Sequence, residues 1–408
     1  MTRTAPRFRR AMACGLALAL VTAPPALADF NDYPPEAKGQ SPAFANQTRA
    51  PVIPGALRLS RTPLTEGLSN PWGMDWLPDG SLLITEREGA LRIYRDGQLS
   101  DPITTGLPKV DSDGQGGLLD VAVAPDFAQT RQIWFTFSEF RGQNGNATAV
   151  GTGRLSDDNT ALEDMRVIFQ QEPPHGTPMH FGSRLVFDHQ GQLFVTAGER
   201  NLPPEEPDGA QALGNHLGKV LHIDPQTGAA SAGNPFTAEQ AQPEIWSYGH
   251  RNIQAAALDP QGRLWTVEHG PKGGDELNMP EPGRNYGWPV ITYGVQYDDT
   301  PIGPGLTAQE GMEQPVYYWD PVIAPSGMTF YQGEMFPEWQ GDLLIGGLRA
   351  EAVVRLKLEG DRVAGEQRLV QGIGRVRDVE VAPDGALLVL IDGDPGSLIR
   401  LARRGGTP

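Results

Sequence analysis

The 408-residue chain contains a single cysteine, Cys14. No internal disulfide is possible, and thiol chemistry would rest on one residue. Basic residues are also scarce, 33 Lys+Arg against 50 Asp+Glu, for a net charge of −17. A chain this acidic lacks the positive surface that phosphate backbones require, which excludes a nucleic-acid partner. No apolar run reaches the ~20 residues of a membrane span, so no stable membrane insertion is expected. The Gly-x-Ser-x-Gly nucleophile elbow, the P-loop and the glycine-rich dinucleotide unit are all missing. His216, His222 and His269 do not fall at the spacing of a zinc centre.

The amino terminus is read apart from the rest. Arg3, Arg7, Arg9 and Arg10 form a basic region, Ala11 to Val21 a short apolar run, and Ala26-Leu27-Ala28 a small-x-small cleavage site. This is the pattern of a secretory signal over 1–28, too short for a membrane anchor. Its removal takes away four arginines and no acid, so 33 − 4 = 29 basic residues face 50 acidic ones, for a net charge of −21. Cys14 leaves with it. An exported, cysteine-free protein of this size must be stabilised by its core, and a periplasmic location is expected.

Glycine and proline, by contrast, are abundant: 50 and 37 of 408 residues, about a fifth against a usual share of roughly 12%. Many turns and many short strands follow. Residues 29–56 form an irregular lead-in. Beyond them one unit recurs, a turn rich in Asp, Pro and Gly followed by a β-rich strand. The strands begin at Leu82 (LLITE), Ile133 (IWFTFS), Leu193 (LFVTAGE), Leu264 (LWTVEHG), Leu343 (LLIGGL) and Leu387 (LLVLID). Turns such as Pro78-Asp79-Gly80 and Pro383-Asp384-Gly385 carry hairpin signals of the Asp-Gly type. The starts lie 51, 60, 71, 79 and 44 residues apart. A four-stranded propeller blade needs roughly 40–50 residues, more with long loops. The spacing predicts one all-β domain over 57–404, a six-bladed β-propeller.

The repeat also makes a geometric prediction. His180 and Arg251 each precede a strand start by 13 residues and Arg375 by 12, while Glu199, Gly270 and Arg349 each follow one by six. Equivalent phases in a closed ring converge on one mouth of the central channel, where His and Arg residues suit an anionic ligand. Arg251-Asn252 offers a guanidinium beside an amide, a pairing for carboxylate or quinone oxygens. Taken singly, a surface ion pair explains it equally well. Gly270 and Pro271 present consecutive carbonyls, and Asp275, Glu276 and Tyr286 add oxygens; oxygen-only sets suit calcium, although the spacing is not that of an EF-hand. His180 is the histidine that the phase puts at a strand entry, as a general base requires. Trp72, Trp246, Trp288 and Trp319 fit either stacking at the mouth or ordinary blade packing.

The motifs HFGSRLVFD…GE, EIWSYGHRN, EHGPKGGDELN, NYGWP, PVYYW…APSGM and GRVRDVEVAPDG, in order from about Leu68 to Ile399, resemble the soluble glucose/sorbosone dehydrogenases that use pyrroloquinoline quinone (PQQ). Within them the periplasmic aldose sugar dehydrogenases are most similar. The resemblance implies a six-bladed propeller that holds PQQ and Ca²⁺ at its axis and oxidises aldose sugars at the anomeric carbon by hydride transfer to the quinone. It implies His180 as the base and Arg251 and Asn252 as partners of the quinone edge. Arg375 and Arg377 would pair with cofactor carboxylates, and Gln115, Glu199 and Arg349 would adjoin the cofactor. Gly270 and Pro271 would hold the catalytic calcium, and Glu276 and Tyr286 a structural one. The partners implied are an aldose and an external electron acceptor, a cytochrome or a quinone. Met179 stands where the glucose-oxidising branch has an acid, Glu199 where it has Asp, Arg349 where it has Lys, and Ile253 where Pro is usual. A Ca²⁺-dependent propeller lactonase would need axial carboxylates instead of arginines. A non-catalytic binding propeller would have no use for His180, Arg375 and Arg377.

Overall fold

A computed structural model describes residues 1–2, 30–55, 57–206 and 209–405. The proposed signal over 1–28 and its cleavage site lie outside the described residues, apart from the first two. Residues 1–33 form a unit of their own, with one 3₁₀ turn at Phe30–Asp32. Residues 34–408 form the other, and everything below belongs to it.

That unit is built from six antiparallel sheets of four strands each. The first blade runs Pro71–Trp76, Leu82–Glu86, Ala90–Arg95 and Gln98–Leu99, and the second begins at Leu118–Val123. The innermost strands of the remaining blades are Gly182–Phe187, Ile253–Leu258, Pro325–Phe330 and Val376–Val381. Each inner strand packs beside the next, and the last packs beside the first, so the sheets close into a ring. The six strands picked out in the sequence are the second strands of the six blades. Those at Leu82, Leu193, Leu264 and Leu343 are buried at every residue. A strand sandwiched between two neighbouring blades needs apolar side chains on both faces, which produces a continuous apolar run in place of alternation.

The hairpin turns share a form, though it is longer than a two-residue Asp-Gly loop. Gly80, Gly191, Gly262 and Gly385 donate to the carbonyls of Leu77, Asp188, Asp259 and Ala382 at 2.8–3.0 Å. All four glycines sit at φ between 78° and 82°. A type I turn followed by a left-handed residue favours glycine at that place. The last blade closes by a different device. Its outer strand, Leu59–Leu68, comes from the start of the domain and pairs with Gly396–Arg403 near the end. Residues of the lead-in bind alongside: Gln47 Nε2 donates to Pro315 O at 3.0 Å, and Val52 bridges to Glu366.

Candidate active site

The loops entering the inner strands carry His180, Arg251 and Arg375; His180 and Arg251 lie close enough to His269 to act on its charge, and Arg375 shares a cavity wall with His269. That cavity, of about 270 Å³, is lined by Trp72, Arg87, Gln115, Gln254, His269, Leu348, Arg375, Arg377 and Asp392, among others. Arg87, His269, Leu348 and Asp392 each lie five residues after the starts of their strands. Position five therefore faces the cavity, whereas the sequence phase pointed to position six. Strand side chains alternate, so a step of one residue moves a side chain to the other side.

Position six turns to other partners. Glu199 is 2% exposed. Its Oε1 lies 2.6 Å from His180 Nδ1, and its Oε2 accepts from Leu202 N at 2.7 Å. Both oxygens are engaged, and Glu199 is not among the residues lining the cavity. Arg349, expected beside a cofactor, pairs with Glu36 at 2.6 Å. Gly270 O accepts from Arg251 Nη1 at 2.9 Å.

His180 is held from several directions. Its amide donates to Gln115 Oε1 at 2.9 Å, while Gln115 N donates to Pro178 O at 2.8 Å. Its own φ is 54°, in the left-handed region. Its carbonyl lies so close to Gly198 that a Cβ there would come within 1.9 Å. Burial is the main cause holding the imidazole below its usual pKa, assisted by the Arg251 charge and opposed by Glu199. The shift favours the unprotonated ring. With Glu199 accepting the Nδ1 proton, Nε2 carries the lone pair. His269, on the cavity wall, is pushed down to about 3 by burial and gives Nε2–H to Pro325 O at 2.7 Å.

Arg251 is 7% exposed and Asn252 0%. Arg251 Nη1 is spent on the carbonyls of His269 and Gly270, both at 2.9 Å, and the guanidinium lies 5.2 Å from the Trp288 ring. Asn252 Oδ1 accepts from Gly182 N at 3.1 Å and Gln254 Nε2 at 3.2 Å. Three donors here are buried without any partner: Arg251 Nε, Asn252 Nδ2 and Arg377 Nε. A buried donor left unpaired costs roughly 1–3 kcal/mol, and Arg377 on the wall of the large cavity and Arg251 on that of the smaller space beside it mark a place for an acceptor-rich ligand. Arg375 and Arg377 share Asp392, at 3.2 and 3.5 Å.

Next to the main cavity, with His269 in the wall of both, is a space of about 10 Å³. Gly270, Glu276, Tyr286, Glu268 and Arg251 line it. Gly270, expected at a catalytic calcium, and Glu276 and Tyr286, expected at a separate structural one, thus line the same space, about one water molecule in size. Glu276 and Glu268 are close enough to raise the Glu276 carboxyl well above its ordinary range, burial being the larger cause. Asn278 Nδ2 donates to both, at 3.1 and 3.0 Å. The Tyr286 hydroxyl is already used, donating to Met279 O at 2.6 Å and accepting from Glu281 N. Among the described residues no group of three or more His, Cys, Asp or Glu side chains could hold a metal ion.

Of the four tryptophans, Trp72 lines the large cavity and Trp288 the small one. Trp246 packs on Phe194 and Trp319 on Tyr317 within their blades. His216 and His222 are engaged away from the site, by Glu172 N and by Asp188. Arg87, Gln254 and Asp392 were not singled out by motif, and His269 was named only to set aside a zinc centre. The position-five register would have found all but Gln254, which is the second residue of its inner strand, as Trp72 and Arg377 are of theirs.

Residues 68–400 match the Glucose / Sorbosone dehydrogenase family. The chain is 46% identical over 349 residues to aldose sugar dehydrogenase YliI of Escherichia coli (strain K12), covering 84% of this chain and 92% of that one. A crystal structure of the soluble aldose sugar dehydrogenase from Escherichia coli in the apo-form superposes with a TM-score of 0.80 at 44% identity, covering 85% of this chain and 100% of that one. The PQQ-bound form of an aldose sugar dehydrogenase from Streptomyces coelicolor superposes with a TM-score of 0.69 at 27% identity, covering 85% and 99%.

Proposed function

The chain belongs to the Glucose / Sorbosone dehydrogenase family, and we propose that it is a PQQ- and calcium-dependent oxidoreductase that converts aldose sugars to lactones. The observation that carries this reading is the set of unpartnered buried donors, Arg377 Nε beside the cationic Arg87 and Arg375 on the large cavity, Arg251 Nε on the smaller space and Asn252 Nδ2 on the residue next to Arg251. A planar quinone with three carboxylates supplies the acceptors such a wall lacks, and the residues present fit it. The relatives' PQQ-bound form supports the same cofactor. When bound, PQQ supplies a two-electron hydride acceptor and Ca²⁺ a Lewis acid at the quinone edge.

The protein's own part is then simple. His180 Nε2 takes the proton of the anomeric hydroxyl, and Glu199 stabilises the imidazolium that forms, through the 2.6 Å contact at Nδ1. Arg251 and Asn252, whose buried donors lack partners, would hold the quinone edge and stabilise negative charge there. Arg375 and Arg377, paired with Asp392 in this structure, would hold cofactor carboxylates, and Gln115 holds the backbone of the base. Gly270 and Pro271 would hold the catalytic Ca²⁺ with carbonyl oxygens, and Glu276 with Tyr286 the structural one. Glu199 acts through His180 in this reading, and Arg349 reaches the cofactor only by leaving Glu36. The location proposed is the periplasm, with electrons passing to an external carrier. Among the described residues no helix is long and apolar enough to cross a membrane.

The test is reconstitution. Purified cofactor-free protein is titrated with PQQ in the presence of Ca²⁺, and dye reduction is followed with a panel of aldoses. Saturable binding with sugar-dependent reduction is expected. Absence of both, for every sugar, overturns the reading.

A further inference from the structure

Behind the base lies a second arginine that the proposed chemistry does not use. Arg200 is 0% exposed and follows Glu199 directly. Its Nε donates to Met179 O at 3.0 Å, its Nη1 to Asn146 O at 3.1 Å, and its Nη2 to Asn146 Oδ1 at 2.6 Å and to Thr177 O at 2.5 Å. Its backbone carbonyl accepts from the Thr177 hydroxyl, and its amide donates to His180 O at 3.4 Å. The guanidinium lies 3.8 Å from the Phe181 ring centroid. One side chain thus grips the residues on both sides of His180, the segment Thr177–Phe181, and ties it to the second blade at Asn146.

That grip has something to hold. His180, Arg200 and Asn201 have φ of 54°, 64° and 54°. Residues other than glycine persist in this region only where their surroundings over-determine them. Gln115 supports the segment at the His180 amide, and Arg200 supports it at the carbonyls of Thr177 and Met179.

Charge acts in the same place. The titratable and charged groups that act on the imidazole are Glu199, Arg251 and Arg200, and His180 in turn acts on His269. Glu199 favours the protonated ring, whereas Arg251 and Arg200 disfavour it. A buried carboxylate alone would make His180 a stronger base that is more often already protonated. A cation behind the carboxylate offsets this.

We propose that Arg200 is a positioning residue for the reaction, holding the base segment in its left-handed conformation and keeping a buried cation next to the Glu199–His180 pair. This rests on the reading of His180 as the base.

The two effects separate in two substitutions, R200M and R200K. Removing the cation favours the imidazolium, so R200M raises the His180 pKa and moves the acid limb of kcat/KM to higher pH. Arg200→Lys restores the charge but cannot span the three carbonyls, so the limb returns toward wild type while kcat stays about 10- to 100-fold low, the cost of a misplaced catalytic group. The limb is measured in the PQQ-loaded enzyme. The His180 titration is followed independently by ¹⁵N-imidazole NMR of the cofactor-free protein, where no turnover is involved. A folded R200M protein with an unmoved His180 titration overturns the charge role, and full kcat in R200K overturns the positioning role. If R200M fails to fold, R200K still decides the positioning role, and R200Q replaces it for the charge. A fully active His180→Ala enzyme would overturn the base assignment, while the NMR titrations would still report on Arg200.

Discussion

His180 Nδ1 and Glu199 Oε1 lie 2.6 Å apart in a buried pair, with the second Glu199 oxygen fixed by Leu202 N. Glu199 favours the charged imidazole, so neutralising it lowers the His180 pKa. The Glu199→Gln enzyme should show the acid limb of kcat/KM displaced to lower pH, with a lower plateau because the base is weaker. His180→Ala should bind PQQ while turnover falls about 10²- to 10⁴-fold, the usual scale of general-base catalysis. Steady-state pH profiles and PQQ titrations check both.

Gly198 is where the base segment meets the second strand of its blade. A methyl group there would sit 1.9 Å from His180 O, against backbone that cannot step aside. Gly198→Ala should reduce kcat at least tenfold and lower Tm, since the segment must move by about an ångström. Thermal melts and turnover of the PQQ-loaded protein measure this.

Asp392 stands on the cavity wall and occupies Arg375 and Arg377. An anionic ligand must displace it and tolerate its charge. Asp392→Asn should therefore tighten PQQ binding. Arg375→Ala should weaken it by roughly 10- to 100-fold, the worth of a charge-assisted hydrogen bond. Fluorescence titration of cofactor-free protein gives both constants.

Calcium stabilisation should be visible without turnover. Glu268 and Glu276 are adjacent acids at an ion-sized space, and a cation binding only the folded state raises Tm by mass action. Chelator should lower the Tm of the wild type and change the Glu276→Gln protein much less, as read by calorimetry with and without added Ca²⁺.

The ring is closed by Leu59–Leu68 against Gly396–Arg403. Deleting residues through Leu68 leaves the last blade with three strands and an open edge. The truncated chain should be recovered as aggregate, or as a species with a clearly lower Tm than one truncated only to Pro34. Size exclusion and thermal melts distinguish these outcomes.

Much of the architecture was legible because blade chemistry is local. Each second strand is buried on both faces, so it reads as a short apolar run such as LLITE or LFVTA after a glycine turn. The entries His180, Arg251 and Arg375 were legible through the same spacing. The strand exits were harder to read. Position six, carrying Glu199, Gly270 and Arg349, looked like the mouth, yet position five, carrying Arg87, His269 and Asp392, lines the cavity. Turn length sets the phase only to within about a residue, and one residue exchanges the two sides of a strand. Arg200 carried no motif at all. Its importance lies in carbonyls of a segment more than twenty residues away.

Local pattern and turn chemistry by themselves determined the all-β class, the six repeats and the position of His180, Arg251 and Arg375 at the entries of inner strands. They could do so because hairpins and buried strands are specified by neighbours in the chain. Tertiary structure alone decided that the first strand of the domain completes the last blade, that Glu199 serves His180, that Arg349 is held by Glu36, and that three buried donors are left without partners. Each of these depends on which side chains meet across blades once the ring has closed, and no spacing along the chain encodes that meeting.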